Sequence, residues 1–362
     1  MKTFFKDFKN FALNPKFIIP LILSVALGYG YVLNHFAIGI DDLTRPRYIQ
    51  GELIAQGRLS GTLISYLFGY TEYRPFWEDF VSILFIILAA FVAAIFLKRI
   101  TKDRVHPHVY TFFACFLATY PIINEIFLYA GSGLNMGIGY ALTFIAAILM
   151  EDFFEKKKWY TIAFCTLIFI FNISMYESFV FVYSCCVCGV LTIKQLMADE
   201  IFPQINQTKN QKSQEKLPLK KIITQILWYI LPLILGFVFE YIISAGVRSF
   251  LNLETSTNAA SYIVFPPKIR EVITFSVYRY IFNGLWYLPI TILVISGIVM
   301  LIITARNCIR CKTPVYLLYT AGMFLSVLAL PILQSGEIKY RTSQSLVMFC
   351  IFPLTLLLQK CL

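Results

Sequence analysis

Two adjacent carboxylates and two arginines stand close together in the stretch IDDLTRPRY, which follows a long apolar run. The carboxylates are Asp41 and Asp42, and the arginines are Arg45 and Arg47. A positioned carboxylate can accept the proton of a hydroxyl group, and arginine can neutralise the charge of a phosphate. These side chains therefore predict transfer from a phosphate-linked donor to a hydroxyl acceptor. An equally good interpretation is structural, in which the carboxylates cap a helix and the arginines contact lipid phosphates.

The composition around this stretch is that of a membrane protein. The chain has 362 residues, of which 58% are hydrophobic and 14% are charged, whereas a soluble domain carries about 25% charged residues. Several apolar runs reach the roughly 20 residues that cross a bilayer. We predict an all-α polytopic membrane protein with one integral domain over residues 1–362. The ten predicted transmembrane helices cover about 17–40, 79–97, 108–129, 134–150, 159–175, 177–194, 222–243, 284–304, 314–333 and 345–359.

The distribution of Lys and Arg predicts the orientation of this bundle. With the first residue on the cytoplasmic side, 21 of the 31 Lys and Arg residues lie on the inner side, as the positive-inside rule requires. The net charge of +11 then reflects contact between inner loops and anionic lipid, not nucleic-acid binding. Three segments are predicted outside the membrane core: a cytoplasmic interfacial helix at 1–16, a periplasmic loop at 41–78 and a cytoplasmic linker at 195–221.

Three carboxylates near membrane depth are all located toward the predicted outer side. Glu125, Glu177 and Glu240 all lie near outer helix ends. A carboxylate at this depth is costly and is a functional candidate, although a helix end paired with arginine or water would also explain it. Transporters often place such groups near the bilayer midplane, on broken helices of two related halves. This sequence shows neither pattern, so chemistry at the outer interface is the better prediction.

The first outer loop also contains a helical apolar pattern, in YIQGELIAQGRLSGTLISYLFGY. Its leucines and isoleucines predict an interfacial helix along the outer surface. This helix carries Arg58, which adds a further cation to the loop.

Metal and nucleophile chemistry have less support in the sequence. The CIRC segment at 308–311 stands alone in a predicted inner loop, without a histidine cluster that would complete a zinc site, and the CCVC segment at 185–188 is interpreted as packing within a membrane helix. The three histidines form no recognisable triad, and no P-loop or GxGxxG motif is present. We therefore predict no metal site and no cofactor.

Five segments, in this order, resemble the bacterial Gtr-type, serotype-converting O-antigen glucosyltransferases within the broader GT-C class of multi-spanning glycosyltransferases. The segments are IDDLTRPRY, QGRLSGTLISYLFGY, ATYPIINEIFLY, FNISMYESFVFVY and EIKYRTSQS. They extend from about residue 41 to about residue 345, which is most of the chain. One departure is clear, because this chain has Tyr176-Glu177-Ser178 where the family pattern is YQS.

The resemblance implies a GT-C-like fold and an inverting transfer of glucose or a similar hexose. The donor would be a polyprenyl-phosphate sugar, the acceptor an O-antigen polysaccharide, and the site would face the periplasm from the bacterial inner membrane. The implied base is Asp41 or Asp42. The remaining implied site residues are Arg58, Arg341, Arg45 and Arg47 for the donor phosphate, and Glu125, Tyr176, Glu177 and Tyr340 for substrate binding.

Two alternatives to this function remain open. A membrane acyltransferase that decorates polysaccharide would use a membrane-embedded histidine, for which His35 is the candidate. A flippase or transporter of a lipid-linked sugar would move its substrate unchanged. The expected partners are the lipid bilayer, the sugar donor, the polysaccharide acceptor, a polyprenyl-phosphate glucosyltransferase and a flippase, without nucleic acid.

Overall fold

The fold is described by a computed structural model over residues 2–35, 51, 53–70, 74–126, 132–199, 219–254, 290–333 and 343–362. These residues form α-helices and the turns between them, without β-strands. In chain order the helices are α1 Lys2–Ala12, α2 Pro15–Asn34, α3 Leu53–Ala55, α4 Leu59–Leu67, α5 Pro75–Ile100, α6 Pro107–Thr119, α7 Pro121–Ile126, α8 Ser132–Lys156, α9 Tyr160–Met175, α10 Phe179–Ala198, α11 Leu219–Phe250, α12 Ile290–Cys311, α13 Val315–Leu333 and α14 Ser345–Cys361.

Six of the described helices are long and apolar enough to cross a membrane, namely α2, α5, α8, α10, α11 and α12. Shorter apolar segments occupy the other four predicted spans, at α6–α7, α9, α13 and α14. The prediction of an all-α membrane protein is therefore confirmed. The count of ten membrane crossings stays a prediction, as does the position of α1 and α4 at the membrane surface.

Helices α5, α8 and α10 form the centre of the bundle. In each of them 72% of the most apolar stretch is buried, compared with 22% in α2, α11 and α12. The interface between α5 and α8 is the most extensive in the described part of the chain. At Gly137 of α8 a Cβ atom would lie 2.7 Å from the backbone carbonyl carbon of Phe85. Small residues allow such close approach of helices in a membrane, so Gly137 lets α5 and α8 meet backbone to backbone.

The third predicted span is broken in the structure. We predicted one continuous helix over 108–129, but α6 ends at Thr119 and α7 begins at Pro121. Between them Tyr120 has an extended backbone, with ψ of 133°. A proline disfavours helical geometry in the preceding residue and removes a backbone donor. Pro121 therefore explains why the helix stops and starts again.

The short helix α1 packs against the bundle at its predicted cytoplasmic end. The ring centre of Phe8 lies 4.9 Å from that of Phe91, and Asp7 accepts a hydrogen bond from Lys98 at 3.0 Å. These contacts place the apolar face of α1 on α5. The helix lies within the segment 1–16, whose cytoplasmic and interfacial position stays a prediction.

Candidate functional site

The first-loop segment makes a tight turn between α3 and α4. The backbone N–H of Arg58 donates to the carbonyl of Leu53 at 2.8 Å, and that of Gly57 donates to the carbonyl of Ile54 at 2.9 Å. Gly57 has a φ of +80°, a conformation that glycine adopts readily and residues with a Cβ atom avoid. The turn places Arg58 directly before α4.

Two contacts attach this turn to the end of α9. The guanidinium carbon of Arg58 lies 5.1 Å from the centre of the Tyr176 ring, within range of a cation–π interaction. The backbone N–H of Ser60 donates to the hydroxyl oxygen of Ser174 at 2.9 Å, and both serines are buried. The first-loop segment and the Tyr176-Glu177-Ser178 turn therefore meet, although they are far apart in sequence.

Helix α11 approaches the same turn from another side. Glu240, Ser244 and Arg248 follow one another at intervals of four residues, which places them on one helix face. The Ser244 hydroxyl donates to the Glu240 carboxylate and lies 3.5 Å from the carbonyl oxygen of Gly57. A Cβ atom on Gly57 would lie 3.5 Å from Nη1 of Arg248. Arg248 therefore approaches the same turn that positions Arg58, whose guanidinium lies over the Tyr176 ring.

We call this group of side chains the Gly57 cluster, which consists of Arg58, Tyr176, Glu177, Glu240, Ser244 and Arg248. Glu240 interacts electrostatically with both Glu177 and Arg248. All members except the buried Ser244 are half-buried. Two arginines that are partly withdrawn from water can bind a phosphate dianion more strongly than fully solvated ones. The neighbouring carboxylates can accept hydrogen bonds from sugar hydroxyl groups.

The C-terminal segment packs against the first half of α8. The Tyr140 hydroxyl donates to the carbonyl of Gln344 at 3.3 Å, and the Tyr140 ring meets the Phe179 ring edge-to-face with centres 5.6 Å apart. Phe179 directly follows the Tyr176-Glu177-Ser178 turn. Helix α8 therefore holds the third-hairpin segment and the described end of the RTSQS segment in one connected core.

Three of the predicted site residues lie together in the structure. They are Arg58, Tyr176 and Glu177, which all belong to the Gly57 cluster. Glu125 lies on the short helix α7, and its side chain is outside the described part. The other predicted site residues also lie outside the described residues, namely Asp41, Asp42, Arg45, Arg47, Tyr340 and Arg341. Their proximity to the cluster stays a prediction.

Ser244 and Arg248 are members of the cluster that the sequence analysis did not predict. Arg248 stands near the end of a long apolar helix, where a basic residue usually indicates only contact with lipid headgroups. The available signal was the four-residue spacing of Glu240, Ser244 and Arg248 along one face. Glu240 was predicted as a carboxylate near membrane depth but without an assigned role.

Within the described residues, no three His, Cys, Asp or Glu side chains come together as a group that could hold a metal ion. Asp41 and Asp42 lie outside those residues. The predicted absence of a metal requirement therefore stays a prediction.

The fold and the cluster together define a class: a multi-spanning, all-α membrane protein with two arginines and two carboxylates near one end of its bundle. The chain belongs to the glucosyl transferase GtrII family, whose family model matches residues 30–358. The protein is therefore a glycosyltransferase, and the resemblance seen in the sequence is confirmed. Searches of curated proteins and of solved structures found no significant match.

Proposed function

We propose that this protein transfers glucose, or a similar hexose, from a polyprenyl-phosphate donor to a surface polysaccharide. The observation that carries the proposal is the turn at Gly57, which places Arg58 over the Tyr176 ring and is approached by Nη1 of Arg248 from α11. A polyprenyl-phosphate sugar leaves behind a charged lipid phosphate, and arginine stabilises that charge through bidentate, charge-assisted hydrogen bonds. A partly buried arginine pair at a bundle end suits a donor whose tail remains in the bilayer.

The acceptor hydroxyl requires a base, because an alcohol is a poor nucleophile. We assign this role to Asp41 or Asp42, which the sequence places shortly before the turn that holds Arg58. Attack by the deprotonated hydroxyl on the anomeric carbon breaks the bond to the phosphate oxygen in one displacement. That single step inverts the anomeric configuration, and the proton remains on the aspartate.

In this proposal the phosphate is bound by Arg58 and Arg248, with Arg341, Arg45 and Arg47 as further ligands from segments outside the described residues. The Tyr176 ring positions Arg58. Glu177 and Glu240 bind sugar hydroxyl groups, and Glu125 and Tyr340 complete the substrate site. The site faces the periplasm of a bacterial inner membrane, where a polyprenyl-phosphate glucosyltransferase and a flippase supply the donor.

The test uses purified full-length protein in lipid vesicles with a radiolabelled polyprenyl-phosphate glucose and O-antigen polysaccharide. We expect labelled polysaccharide with inverted anomeric configuration, and a loss of about 10²- to 10⁴-fold in kcat for either Asp41→Asn or Asp42→Asn. Full activity in both variants would remove the aspartates from the mechanism. Translocation of intact donor without transfer would indicate a flippase, and acylated polysaccharide made without use of this donor would indicate an acyltransferase.

A further inference from the structure

A cavity of about 610 Å³ lies at the opposite end of the bundle, which the positive-inside rule predicts to be cytoplasmic. It is formed where α5, α8 and α10 end and where α11 begins, with α1 beside them. Five of its lining residues are basic: Arg99, Lys102, Lys156, Lys194 and Lys221. The proposed glycosyl transfer takes place at the other face, so it does not use this cavity.

Most carboxylates of the cavity are already neutralised by basic partners. The ion pairs are Asp7 with Lys98 at 3.0 Å, Asp152 with Lys156 at 3.1 Å, and Glu151 with Lys194. Tyr229 of α11 also donates a hydrogen bond to Glu151. Glu155 is then the one lining carboxylate that has no ion pair with another described residue.

Two of the lining lysines are not used by these pairs. Lys102 and Lys221 are exposed, and neither forms an ion pair with any described residue. Lys102 follows the end of α5 with a φ of 52°. Lys221 lies in the first turn of α11, where the helix dipole adds partial positive charge. The cavity therefore offers two ammonium groups that can receive an anion from outside the chain.

Part of the cavity wall is apolar and includes Ile148, Phe154 and Met197. A ligand that fits this lining carries a negative charge at one end and methylene groups at the other. Basic pockets between transmembrane helices on the cytoplasmic side bind the headgroups of anionic lipids. We propose that this cavity binds an anionic phospholipid of the inner leaflet. Lys102 and Lys221 contact its phosphate, and the apolar wall contacts the first methylenes of its acyl chains.

The experiment measures the thermal unfolding midpoint of the full chain in neutral detergent while dioleoyl phosphatidylglycerol is titrated. A ligand that binds the folded state raises this midpoint. The double variant Lys102→Gln/Lys221→Gln should need about 10- to 30-fold more lipid for the same shift. The matched control is Lys157→Gln/Lys158→Gln, which removes two exposed lysines near the same bundle end that do not line the cavity. This control should respond to the lipid as the native chain does.

Two further titrations distinguish an anionic phospholipid from a soluble phosphate and from a phospholipid without net charge. Glycerol 3-phosphate supplies a soluble phosphate without acyl chains, and dioleoyl phosphatidylcholine supplies acyl chains without net charge. Neither should reproduce the shift at equal concentration. Glu155→Gln removes an exposed negative charge from the lining, so it should lower the lipid concentration required.

Three results would overturn the proposal. The first is an equal lipid requirement in the native chain and the Lys102→Gln/Lys221→Gln variant. The second is an equal shift with glycerol 3-phosphate, which would show that the occupant is a soluble phosphate. If the double lysine variant does not fold, the Glu155→Gln variant provides the test instead. The third contradicting result is that Glu155→Gln requires the same lipid concentration as the native chain.

Discussion

The guanidinium carbon of Arg58 lies 5.1 Å from the centre of the Tyr176 ring, and this contact joins the first loop to the third hairpin. The ring of Tyr176 also limits where the arginine side chain can point. Any ligand bound by Arg58 is therefore positioned indirectly by a residue from a different part of the chain.

The stacking contact leads to a prediction about Tyr176. Tyr176→Phe keeps the ring face, so it should leave the KM for the donor within about twofold of the native value. Tyr176→Leu removes the cation–π interaction, whose loss of about 0.5–1 kcal/mol corresponds to a two- to fivefold higher donor KM. Initial rates measured over a range of donor concentrations give the donor KM of both variants. Tyr160→Leu is the control, because Tyr160 makes a similar contact with Lys158 at the other bundle end; an equal KM increase in all three variants would contradict the role of stacking.

Arg248 is predicted to share the donor phosphate with Arg58. Arg248→Ala should raise the donor KM about tenfold or more, because loss of a charge-assisted hydrogen bond costs about 1.5–3 kcal/mol. Arg248→Lys should recover part of the affinity, since lysine lacks the planar two-donor group. Arg310→Ala at the end of α12 removes an equal charge far from the cluster and should leave the donor KM unchanged. If Arg248→Ala behaves like Arg310→Ala, Arg248 does not bind the phosphate, and Arg45, Arg47 or Arg341 would act with Arg58 instead.

The turn at Gly57 is predicted to be intolerant of a side chain. Gly57→Ala forces a residue with a Cβ atom into a φ of +80°, which costs about 1–2 kcal/mol. The new methyl group would make ordinary van der Waals contacts with Arg248 and Glu240, at 3.5 and 3.8 Å, so the cost comes from the backbone. We expect a lower kcat/KM and a lower unfolding midpoint. Gly246→Ala, on α11 with no neighbouring atom within 4 Å, should instead keep full activity and the native midpoint or a higher one.

A fourth prediction concerns packing beneath the cluster. A Cβ atom on Gly139 would overlap the Phe179 ring, so Gly139→Ala must displace the ring. Such overpacking costs about 1–3 kcal/mol, and the thermal unfolding midpoint should fall. Adding Phe179→Leu to Gly139→Ala should recover part of the loss, because the shorter side chain leaves room. Gly297→Ala, which meets no atom within 4 Å, is the control; a midpoint equal to that of Gly139→Ala would contradict the packing explanation.

The helical membrane fold could be predicted from the sequence because long apolar runs leave few other structures available in a bilayer. The break at Tyr120 shows where this reasoning was incomplete. Pro121 was visible in the sequence, but hydropathy alone gives no weight to a missing backbone donor. The structure corrects the single predicted helix to two shorter ones.

The candidate site was harder to predict, because its members come from distant segments. Arg58 and Tyr176 were found through short segments that resemble a family, but nothing in those segments shows that the two side chains touch. Arg248 lies in none of these segments, and a single arginine at a helix end is common in membrane proteins. Only the tertiary arrangement brings it to Gly57. The contributions of Asp41, Asp42 and Arg341 lie outside the described residues and stay predictions.

Helix α11 has 32 residues, and at 1.5 Å per residue its length is about 48 Å, whereas the hydrocarbon core of a bilayer is about 30 Å thick. A helix with this much excess length must tilt or extend beyond the lipid tails. Glu240 and Arg248 lie in its last three turns, so their height above the acyl chains depends on bilayer thickness. Under the proposed function, the acyl-chain length of the host membrane therefore helps to determine the depth at which Arg248 would meet the donor phosphate.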